Sequence, residues 1–228
     1  MIVTARDTSD ASARNDVVSI AALAVLAMLS SGMPIEDRRA RERAARRELI
    51  TTTARQLAEA EGWDAVTTRR LSAEIEYSQP VLYAHFANMD QLSQAVAVDG
   101  FGELGETLRA ARAGAATTTD ALRQLAHAYV DFARQNPALY DAMFTRSTTL
   151  HFAAEDTPPE LEAAFTELRD AVAALAENQD ADTLAEVFWS ALHGLVTLTR
   201  NGRLRPSHEA ERVDLLIDQL ASQHENMR

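Results

Sequence analysis

The sequence contains no cysteine among its 228 residues. Disulfides and thiolate zinc sites are therefore excluded, and a reducing compartment is permitted. Lysine is absent too, so all 22 basic residues are arginine. The apolar run at residues 17–29 has 13 residues, fewer than the roughly 20 that a membrane-spanning helix needs. We therefore expect no membrane partner.

The first 33 residues admit three interpretations. They are an extension upstream of a natural start at Met33, an extra docking helix, or a signal peptide with Arg6 and Arg14 ahead of its apolar run. Three aspartates and the lack of a convincing cleavage site disfavour the signal peptide. We treat residues 1–33 as an extension that is dispensable or arises from a wrong start.

Most of the net negative charge lies in the C-terminal two-thirds of the chain. The net charge is −12, which by itself argues against binding to nucleic acid. However, residues 34–86 hold nine arginines and nine acidic residues, whereas residues 87–228 hold eleven arginines and 22 acidic residues. An arginine cluster occupies six of the ten positions 38–47, and it is either a phosphate-binding arm or a solvated helix face.

Apolar residues recur at helical spacing from residue 34 onward, and no strand pattern survives. The start and stop signals predict about nine helices, near residues 38–61, 69–75, 79–86, 90–113, 118–135, 138–144, 160–177, 181–200 and 207–222. N-caps are expected at Thr67, Ser78, Thr117 and Asp180, and the fourth helix is expected to start at Asn88 or Asp90. A capping box is expected from Thr157 to Glu160.

A glycine motif in the fourth helix resembles a nucleotide site only superficially. Gly100, Gly102 and Gly105 match Gly-x-Gly-x-x-Gly, but a dinucleotide site needs a strand before the motif and a second strand after it. Leu92 and Val96 place the motif inside a helical pattern instead. We interpret it as a loosened stretch of helix, since each glycine costs up to about 1 kcal/mol relative to alanine.

The second and third helices are short and are joined by a three-residue turn, which is typical of a helix-turn-helix. In such motifs the second helix enters the major groove of DNA. Burying Leu82 and Phe86 turns the other side of the third helix outward. The expected DNA contacts from these two helices are Thr67, Thr68, Arg69, Gln79, Pro80, Val81, Tyr83 and His85, with Arg46 and Arg47 as arm contacts.

Residues 46–98 resemble the DNA-binding domain of the TetR family of bacterial repressors. The resemblance rests on EGWDAVTTRRLSAEI, YSQPVLYAHF and the NMDQL that opens the fourth helix, and above all on the Leu-Tyr-x-x-Phe ending at Phe86. It implies an all-α fold. A three-helix DNA-binding domain at residues 34–87 would precede a helical ligand-binding and dimerisation domain at residues 88–228.

The sequence departs from the family pattern at several positions near DNA. Glu76 stands in the turn where the family usually has glycine, which predicts backbone strain. Met89 stands where a phosphate-contacting lysine is common, and Gln79 and Pro80 replace a lysine and a small residue. Fewer cations predict weaker and more salt-tolerant binding to DNA, unless the arginine cluster supplies the missing contacts.

The resemblance implies a small apolar effector, a homodimer and a cytoplasmic repressor. Large side chains of the fourth to eighth helices form either plain core or the lining of an effector site. The candidates for that lining are Tyr129, Phe132, Tyr140, Met143, Phe144, Phe165, Trp189 and His193. Candidates for the dimer interface, in a four-helix bundle, are Leu195, Leu198, Leu216 and Leu220.

Trp189, His193 and Gly194 are similar to the signature of a family branch named for Trp-His-Gly, which makes a structural role for His193 as plausible as a ligand contact. No two histidines have metal-ligand spacing on a helix, so we expect neither a metal nor another cofactor. Two other functions remain open. One is a ligand-sensing or partner-binding dimer that has lost DNA binding. The other is an enzyme, although the sequence shows no nucleophile–base arrangement or phosphate loop.

Overall fold

The computed structural model describes residues 35–146, 150–152, 154–176 and 179–226, with side chains up to Ser222. The described residues form nine α-helices and no strand, so the expected all-α fold is confirmed. In chain order the helices are α1 (Ile35–Glu61), α2 (Thr68–Glu74), α3 (Gln79–His85), α4 (Met89–Arg112), α5 (Thr118–Gln135), α6 (Pro137–Phe144), α7 (Pro159–Val172), α8 (Ala181–Arg200) and α9 (Glu209–Asn226). The expected extension, residues 1–33, lies outside the described residues.

The chain divides into two units, Met1–Glu48 and Leu49–Arg228. The first half of α1 belongs to the first unit, and every later helix belongs to the second. None of the helices in the described ranges is long and apolar enough to cross a membrane.

Residues 49–86, which we call the head, hold the second half of α1 together with α2 and α3. The apolar side chains that the head buries include Ile50, Ala54, Leu57, Leu71, Leu82 and Phe86. Leu82 and Phe86 are four positions apart, so they lie on the same side of α3. Their burial fixes the rotation of α3 about its axis and leaves its opposite side to solvent.

Helix α4 lies at the centre of the remaining helices and contacts α5, α6 and α7. Helix α8 packs on α5 and α7, and α9 packs on α5 and α8. The largest fully buried aliphatic side chains of this part are Leu108, Leu122, Leu125, Leu139, Leu161, Leu192 and Ile217. Because α4 also follows directly on the head, it links the head to the helices that carry the aromatic cluster described below.

Two glycines of α4 lie where a neighbouring helix approaches closely. A Cβ atom at Gly100 would come within 2.7 Å of Leu139 Cδ1 and 2.9 Å of Met143 Sδ, both on α6. A Cβ atom at Gly105 would lie 3.4 Å from the backbone of Ala164 on α7. The glycine motif therefore belongs to one continuous helix, as expected, but close helix packing rather than loosening explains these two glycines.

Most helix starts form where local sequence predicts them. Four expected N-caps accept a hydrogen bond from a backbone N–H three residues ahead: Thr67, Asn88, Thr117 and Asp180. Ser78 holds the N-cap position of α3 without a side-chain bond. These short-range signals confirm the predicted beginnings of α2, α4, α5 and α8 to within a residue or two.

The capping box predicted at the start of α7 is wrong. Pro158 holds the N-cap position, and the Thr157 hydroxyl binds the preceding loop instead. It donates to the carbonyl of His151 at 3.1 Å and accepts from the N–H of Ala154 at 2.9 Å. Helix α7 also ends earlier than predicted, at Val172, because the chain tightens there into a 3-10 turn.

Candidate functional site

The turn between α2 and α3 has the geometry of a helix-turn-helix. Thr67 caps α2 by accepting from the N–H of Arg70 at 3.2 Å, and α2 ends at Glu74. Glu76 then adopts φ 57°, the left-handed region that favours glycine. The strain expected from the departure at Glu76 is therefore present in the backbone, and the turn keeps the shape that glycine would give it.

The outward side of α3 carries the residues expected to contact DNA. Gln79 and Pro80 are exposed, and Tyr83 is 54% exposed. Val81 and His85 are half-buried at the edges of this side. An exposed amide and an exposed phenol on a short helix offer hydrogen bonds to base edges and phosphates.

Helix α2 meets this surface at Thr68. The Thr68 hydroxyl lies 3.5 Å from the Tyr83 hydroxyl and donates to the Met89 sulfur at 3.7 Å. Thr67 and Arg69 remain exposed on either side of it. We call Thr67, Thr68, Arg69, Gln79, Pro80 and Tyr83 the reading surface. Met89 is half-buried against this surface, where a lysine would have added a positive charge.

Arg46 and Arg47 are exposed on the part of α1 that belongs to the unit ending at Glu48. In the same stretch Arg38 pairs with Glu42 at 3.9 Å, one helical turn away. This stretch is a helix with charged side chains on all sides, as both the arm and the solvated-face interpretations require.

Five of the eight predicted effector-site residues meet in one aromatic cluster. We give this name to seven rings in mutual contact: Phe101, Tyr129, Tyr140, Phe144, Phe152, Trp189 and His193. Tyr140 stacks on His193 with 5.6 Å between ring centroids, and Phe144 lies 5.8 Å from Trp189. Such distances are typical of favourable ring pairs.

A chain of hydrogen bonds runs through this cluster. Trp189 Nε1 donates to the Tyr129 hydroxyl at 3.0 Å, which lies 2.8 Å from the Tyr140 hydroxyl, and the latter lies 2.7 Å from His193 Nδ1. Only one direction uses every hydroxyl hydrogen: Tyr129 donates to Tyr140, and Tyr140 donates to Nδ1 of His193. The Nε2 atom of His193 then carries the proton and faces the Thr197 hydroxyl at 3.4 Å.

Burial keeps the side chains of this hydrogen-bond network neutral. It raises the pKa of Tyr129 and of Tyr140 well above that of a free tyrosine, so both phenols stay protonated. Burial, together with the positive charge of Arg200, lowers the pKa of His193 below its usual 6.5. A neutral imidazole at pH 7 agrees with the acceptor role that the hydrogen-bond direction assigns to Nδ1.

The other predicted effector-site residues lie outside the ring contacts. Phe132 is buried, Phe165 is half-buried, and Met143 packs against Gly100 of α4. Two cluster members were missing from the predicted set, namely Phe101 and Phe152. Phe152 is 50% exposed although its ring contacts Phe101 and Trp189, so it forms the solvent side of the cluster. Phe101 lies inside the glycine motif of the fourth helix, and no local signal in the sequence singled it out.

The four predicted dimer-interface leucines differ in exposure. Leu198 is 44% exposed, whereas Leu195, Leu216 and Leu220 are half-buried against the core. Val187 of α8 and Leu215 of α9 are exposed to 59% and 58% and were not predicted. Val187, Gly194 and Leu198 share one face of α8, and a Cβ atom at Gly194 would meet nothing within 4 Å.

Charged contacts hold α9 to α5. Arg123 contacts Asp214 at 2.9 Å and Asp218 at 2.6 Å, and His127 Nε2 lies 2.9 Å from Asp214. Hydrogen bonds from His127 and Arg123 lower the pKa of Asp214. In the described part of the chain, no group of three or more His, Asp or Glu side chains is arranged to hold a metal ion.

Comparison with known proteins agrees with both halves of this arrangement. Residues 50–96 match the family described as bacterial regulatory proteins, tetR family, and residues 122–221 match the tetracyclin repressor-like C-terminal domain. The first match covers the helix-turn-helix, and the second covers the helices that carry Tyr129, Tyr140, Trp189 and His193.

Curated relatives are HTH-type transcriptional regulators. The chain is 32% identical over 161 residues to the uncharacterized regulator Rv0681 of Mycobacterium tuberculosis, covering 68% of this chain and 71% of that protein. It is 33% identical over 95 residues to the uncharacterized regulator YobS of Bacillus subtilis, covering 42% of this chain and 49% of that one.

A solved structure of a protein of unknown function from Rhodococcus sp. RHA1 has the same fold. It is 25% identical, its TM-score is 0.65, and the match covers 78% of this chain and 93% of that one. The reading surface, the aromatic cluster, the two domain matches and the curated relatives agree, and the chain belongs to the tetR family of helix-turn-helix transcriptional regulators.

Proposed function

We propose that the protein represses transcription as a homodimer that binds a pseudo-palindromic operator, and that a small apolar effector releases it. In this proposal residues 34–87 form the DNA-binding domain and residues 88–228 form the effector-binding and dimerisation domain. A regulator that binds chromosomal DNA works in the cytoplasm. It needs no cofactor beyond the effector.

The reading surface carries the DNA-binding part of this proposal. Leu82 and Phe86 fix α3 from behind, so Gln79 and Tyr83 are displayed on a rigid helix rather than on a loop. Gln79 is suited to adenine, and Pro80 and Val81 are suited to a thymine methyl group. Tyr83 and His85 supply hydrogen bonds to phosphates. Arg46 and Arg47 are the proposed arm contacts.

Fluorescence anisotropy with the labelled DNA duplex from upstream of the protein's own gene tests this assignment. We expect saturable binding that weakens with salt and exceeds binding to unrelated DNA. The logarithm of affinity should fall by about 0.9 for each phosphate contact per logarithm of salt concentration. Equal, weak binding to both duplexes would contradict a repressor that acts at its own promoter.

Substitutions at Tyr83 test the placement of α3. Tyr83→Ala should abolish binding to the operator, whereas Tyr83→Phe, which loses only the hydroxyl group, should retain part of the affinity. The matched control is Gln124→Ala, at an exposed position of α5, which should bind as the parent does. Operator binding by Tyr83→Ala at parental strength would show that α3 does not enter the groove.

The aromatic cluster is the proposed effector site. Its rings supply apolar surface, and the hydroxyls of Tyr129 and Tyr140 with His193 supply a few hydrogen-bonding groups that orient a ligand, as small-molecule sites require. Met143, Phe132 and Phe165, which the sequence also predicted, are the further candidates for this lining. The half-exposed ring of Phe152 stands on the side from which an effector would enter. Small, mainly aromatic molecules with one polar group fit this lining best.

Tryptophan fluorescence provides the effector assay. The chain has two tryptophans, Trp63 in the head and Trp189 in the cluster, so Trp63→Phe leaves Trp189 as the only reporter. A panel of small aromatic compounds is screened for quenching of Trp189 in this variant and then for release of labelled DNA from the parent protein. A compound that releases DNA without changing Trp189 emission would place the effector elsewhere.

An effector acts by shifting a population between two states. It releases DNA only if it binds the DNA-free state more tightly than the DNA-bound state. The two heads of a dimer must meet half-sites about 34 Å apart, one turn of DNA. Displacing α4, which joins the head to the helices around the cluster, changes that separation.

The proposed dimer interface combines α8 and α9 with their copies in a second subunit. Leu198, Val187 and Leu215 form its exposed apolar part, and Leu195, Leu216 and Leu220 lie half-buried beneath it. The alternative function is a ligand-sensing or partner-binding dimer that has lost DNA binding. It rests on Glu76, on Met89 in place of a cation beside the reading surface, and on the net charge of −12. Anisotropy with own-promoter DNA separates the two functions.

A further inference from the structure

Helix α6 starts without a cap from its own N-cap residue. Asn136 occupies that position but makes no side-chain bond to the helix. Its side-chain amide donates to the carbonyl of Phe132 at 3.0 Å, and its Oδ1 atom accepts from Arg55 at 2.9 Å. An asparagine at this position normally accepts from the first turn of the helix. Here the first turn needs another acceptor.

Glu59 of the head supplies that acceptor. Its two carboxylate oxygens accept from the N–H of Ala138 at 3.0 Å and from the N–H of Leu139 at 2.9 Å. The two ends of this cap are about 80 positions apart in the sequence. A negative charge is also favourable at the positive end of a helix. The head thus supplies the N-terminal cap of α6, a helix that lies outside the head.

Two other head residues hold the same helix. Trp63 Nε1 donates to the carbonyl of Ala138 at 2.8 Å, and the Arg146 guanidinium, two residues beyond α6, lies 5.1 Å from the centre of the Trp63 ring. Arg55 joins Asn136 to Glu103 of α4. We call Arg55, Glu59 and Trp63 the α6 clamp.

The other sides of α6 contact the aromatic cluster and α4. Tyr140 and Phe144 contribute two of the seven cluster rings, and Leu139 and Met143 approach Gly100 of α4. An eight-residue helix is too short to be stable by itself, so its order depends on these contacts and on its cap. A change at the cluster and a change at the cap therefore act on the same small element.

We propose that Glu59 is a positioning residue that couples the aromatic cluster to the head through α6. A molecule that displaces Tyr140 or Phe144 shifts or loosens α6. The carboxylate that holds Ala138 and Leu139 transmits this change to α1. The biological role of this coupling rests on the proposed function, but the coupling itself can be measured without DNA or effector.

The test compares four full-length proteins: the parent, Glu59→Gln, Phe144→Ala and the double variant. Hydrogen–deuterium exchange with mass spectrometry reports the protection of residues 68–86. In the parent background, Phe144→Ala should raise exchange in this segment by at least about fivefold. In the Glu59→Gln background, the same substitution should change it by less than about twofold. A neutral amide cannot supply two charged acceptor oxygens to the first turn of α6.

Glu61→Gln is the matched control, because Glu61 lies on the same helix and pairs within the head with Arg70 at 2.9 Å. The response to Phe144→Ala should persist in that background. If Glu59→Gln does not fold, Arg55→Gln replaces it as the test variant. We expect Arg55→Gln also to reduce the change in exchange that Phe144→Ala causes. Both variants are checked by far-ultraviolet circular dichroism.

The proposal is overturned if Phe144→Ala changes the exchange of residues 68–86 equally in the parent and in the Glu59→Gln background, or changes it in neither. Loss of the response in Glu61→Gln would also overturn it, since the effect would then be general to α1. A parent that shows the coupling but binds no DNA would refute the proposed repressor and leave the clamp intact. A parent that binds DNA but shows no such coupling would refute the proposed role of Glu59 and leave the proposed repressor intact.

Discussion

The Tyr140 hydroxyl lies 2.7 Å from Nδ1 of His193, and this hydrogen bond determines which imidazole nitrogen carries the proton. Tyr140 can donate to Nδ1 only while His193 is neutral. A second proton on the imidazole would reverse the bond and leave the hydrogen of Tyr129 without an acceptor in a buried site. The aromatic cluster is therefore sensitive to protonation of His193.

Stability should fall as the pH drops below about 6.5. Burial lowers the folded-state pKa of His193, so the unfolded chain takes up the proton first as the pH falls. The contribution of His193 is then fully present above the unfolded pKa and is lost progressively below it, with a slope of at most about 1.4 kcal/mol per pH unit. Urea unfolding at about pH 7.5 and about pH 5.5 measures the difference.

His193→Gln keeps an acceptor for Tyr140 but removes the titration. Its free energy of unfolding should depend less on pH over this range than that of the parent. His208→Gln, at a partly exposed histidine that pairs with Glu211 three positions further on, should retain the contribution of His193. An unchanged pH dependence in His193→Gln would show that the imidazole does not titrate against the fold.

Gly100 and Gly102 should respond in opposite ways to alanine. At Gly100 the new Cβ atom would lie 2.7 Å from Leu139 Cδ1 and would force α6 away from α4. Gly100→Ala should therefore destabilise the fold by about 1–3 kcal/mol. At Gly102 the nearest atom is Glu160 Cγ at 3.7 Å, so Gly102→Ala should stabilise the helix by up to about 1 kcal/mol. Thermal or urea unfolding gives both values, and equal effects would contradict the close packing of α6 on α4.

Features that depend on neighbouring residues were accessible from the sequence. The cap at Thr67, the cap at Asn88 and the four-residue spacing of Leu82 and Phe86 each involve one turn of helix. For this reason the helix-turn-helix and the outward residues of α3 could be predicted as well as the helix starts. The failed capping box at Thr157 shows the limit, because the hydroxyl had a competing acceptor in the loop before α7.

Features that join distant segments could not be predicted in the same way. Glu59 caps α6 from about 80 positions away, and nothing in the sequence around either partner indicates the other. Phe101 enters the aromatic cluster because Gly100 lets α6 approach α4, yet the glycines themselves resembled a nucleotide motif. Helical periodicity shows which side of a helix is apolar but not which helix packs against it.

Glu76→Gly should stabilise the protein. Glu76 has φ 57°, a conformation that costs an L-residue about 1–2 kcal/mol and that glycine adopts without this cost. Glycine also has more conformational freedom in the unfolded chain, which lowers the stability gained by about 0.5–1 kcal/mol. We expect a net increase of up to about 1 kcal/mol in the free energy of unfolding. The affinity for DNA should not change, because the turn already has the conformation that glycine adopts.

The matched control for this substitution is Glu74→Gly, at the last residue of α2 and two positions before Glu76. Glu74 has a helical backbone, so glycine there should lower stability by about 1 kcal/mol. Urea unfolding of both variants at one pH decides between the two signs. Destabilisation of similar size at both positions would show that Glu76 carries no strain that glycine relieves.

The dimer interface can be tested at Gly194, because a side chain there disturbs nothing inside the subunit. A Cβ atom at Gly194 meets no atom within 4 Å, and Val187 and Leu198 lie on the same face of α8. If a second copy of α8 packs on this face, a leucine would hold the two helices apart. Gly194→Leu should therefore weaken the dimer without lowering the helical content of the subunit.

Analytical ultracentrifugation at micromolar concentration measures the expected change. The parent should sediment as a dimer, and Gly194→Leu should shift toward monomer. Gln135→Leu adds the same apolar side chain at an exposed position on a different helix, α5, and should leave the dimer unchanged. A parent that is monomeric, or a Gly194→Leu variant that dimerises as strongly as the parent, would remove α8 from the interface. In that case the exposed Val187 and Leu215 would need another partner.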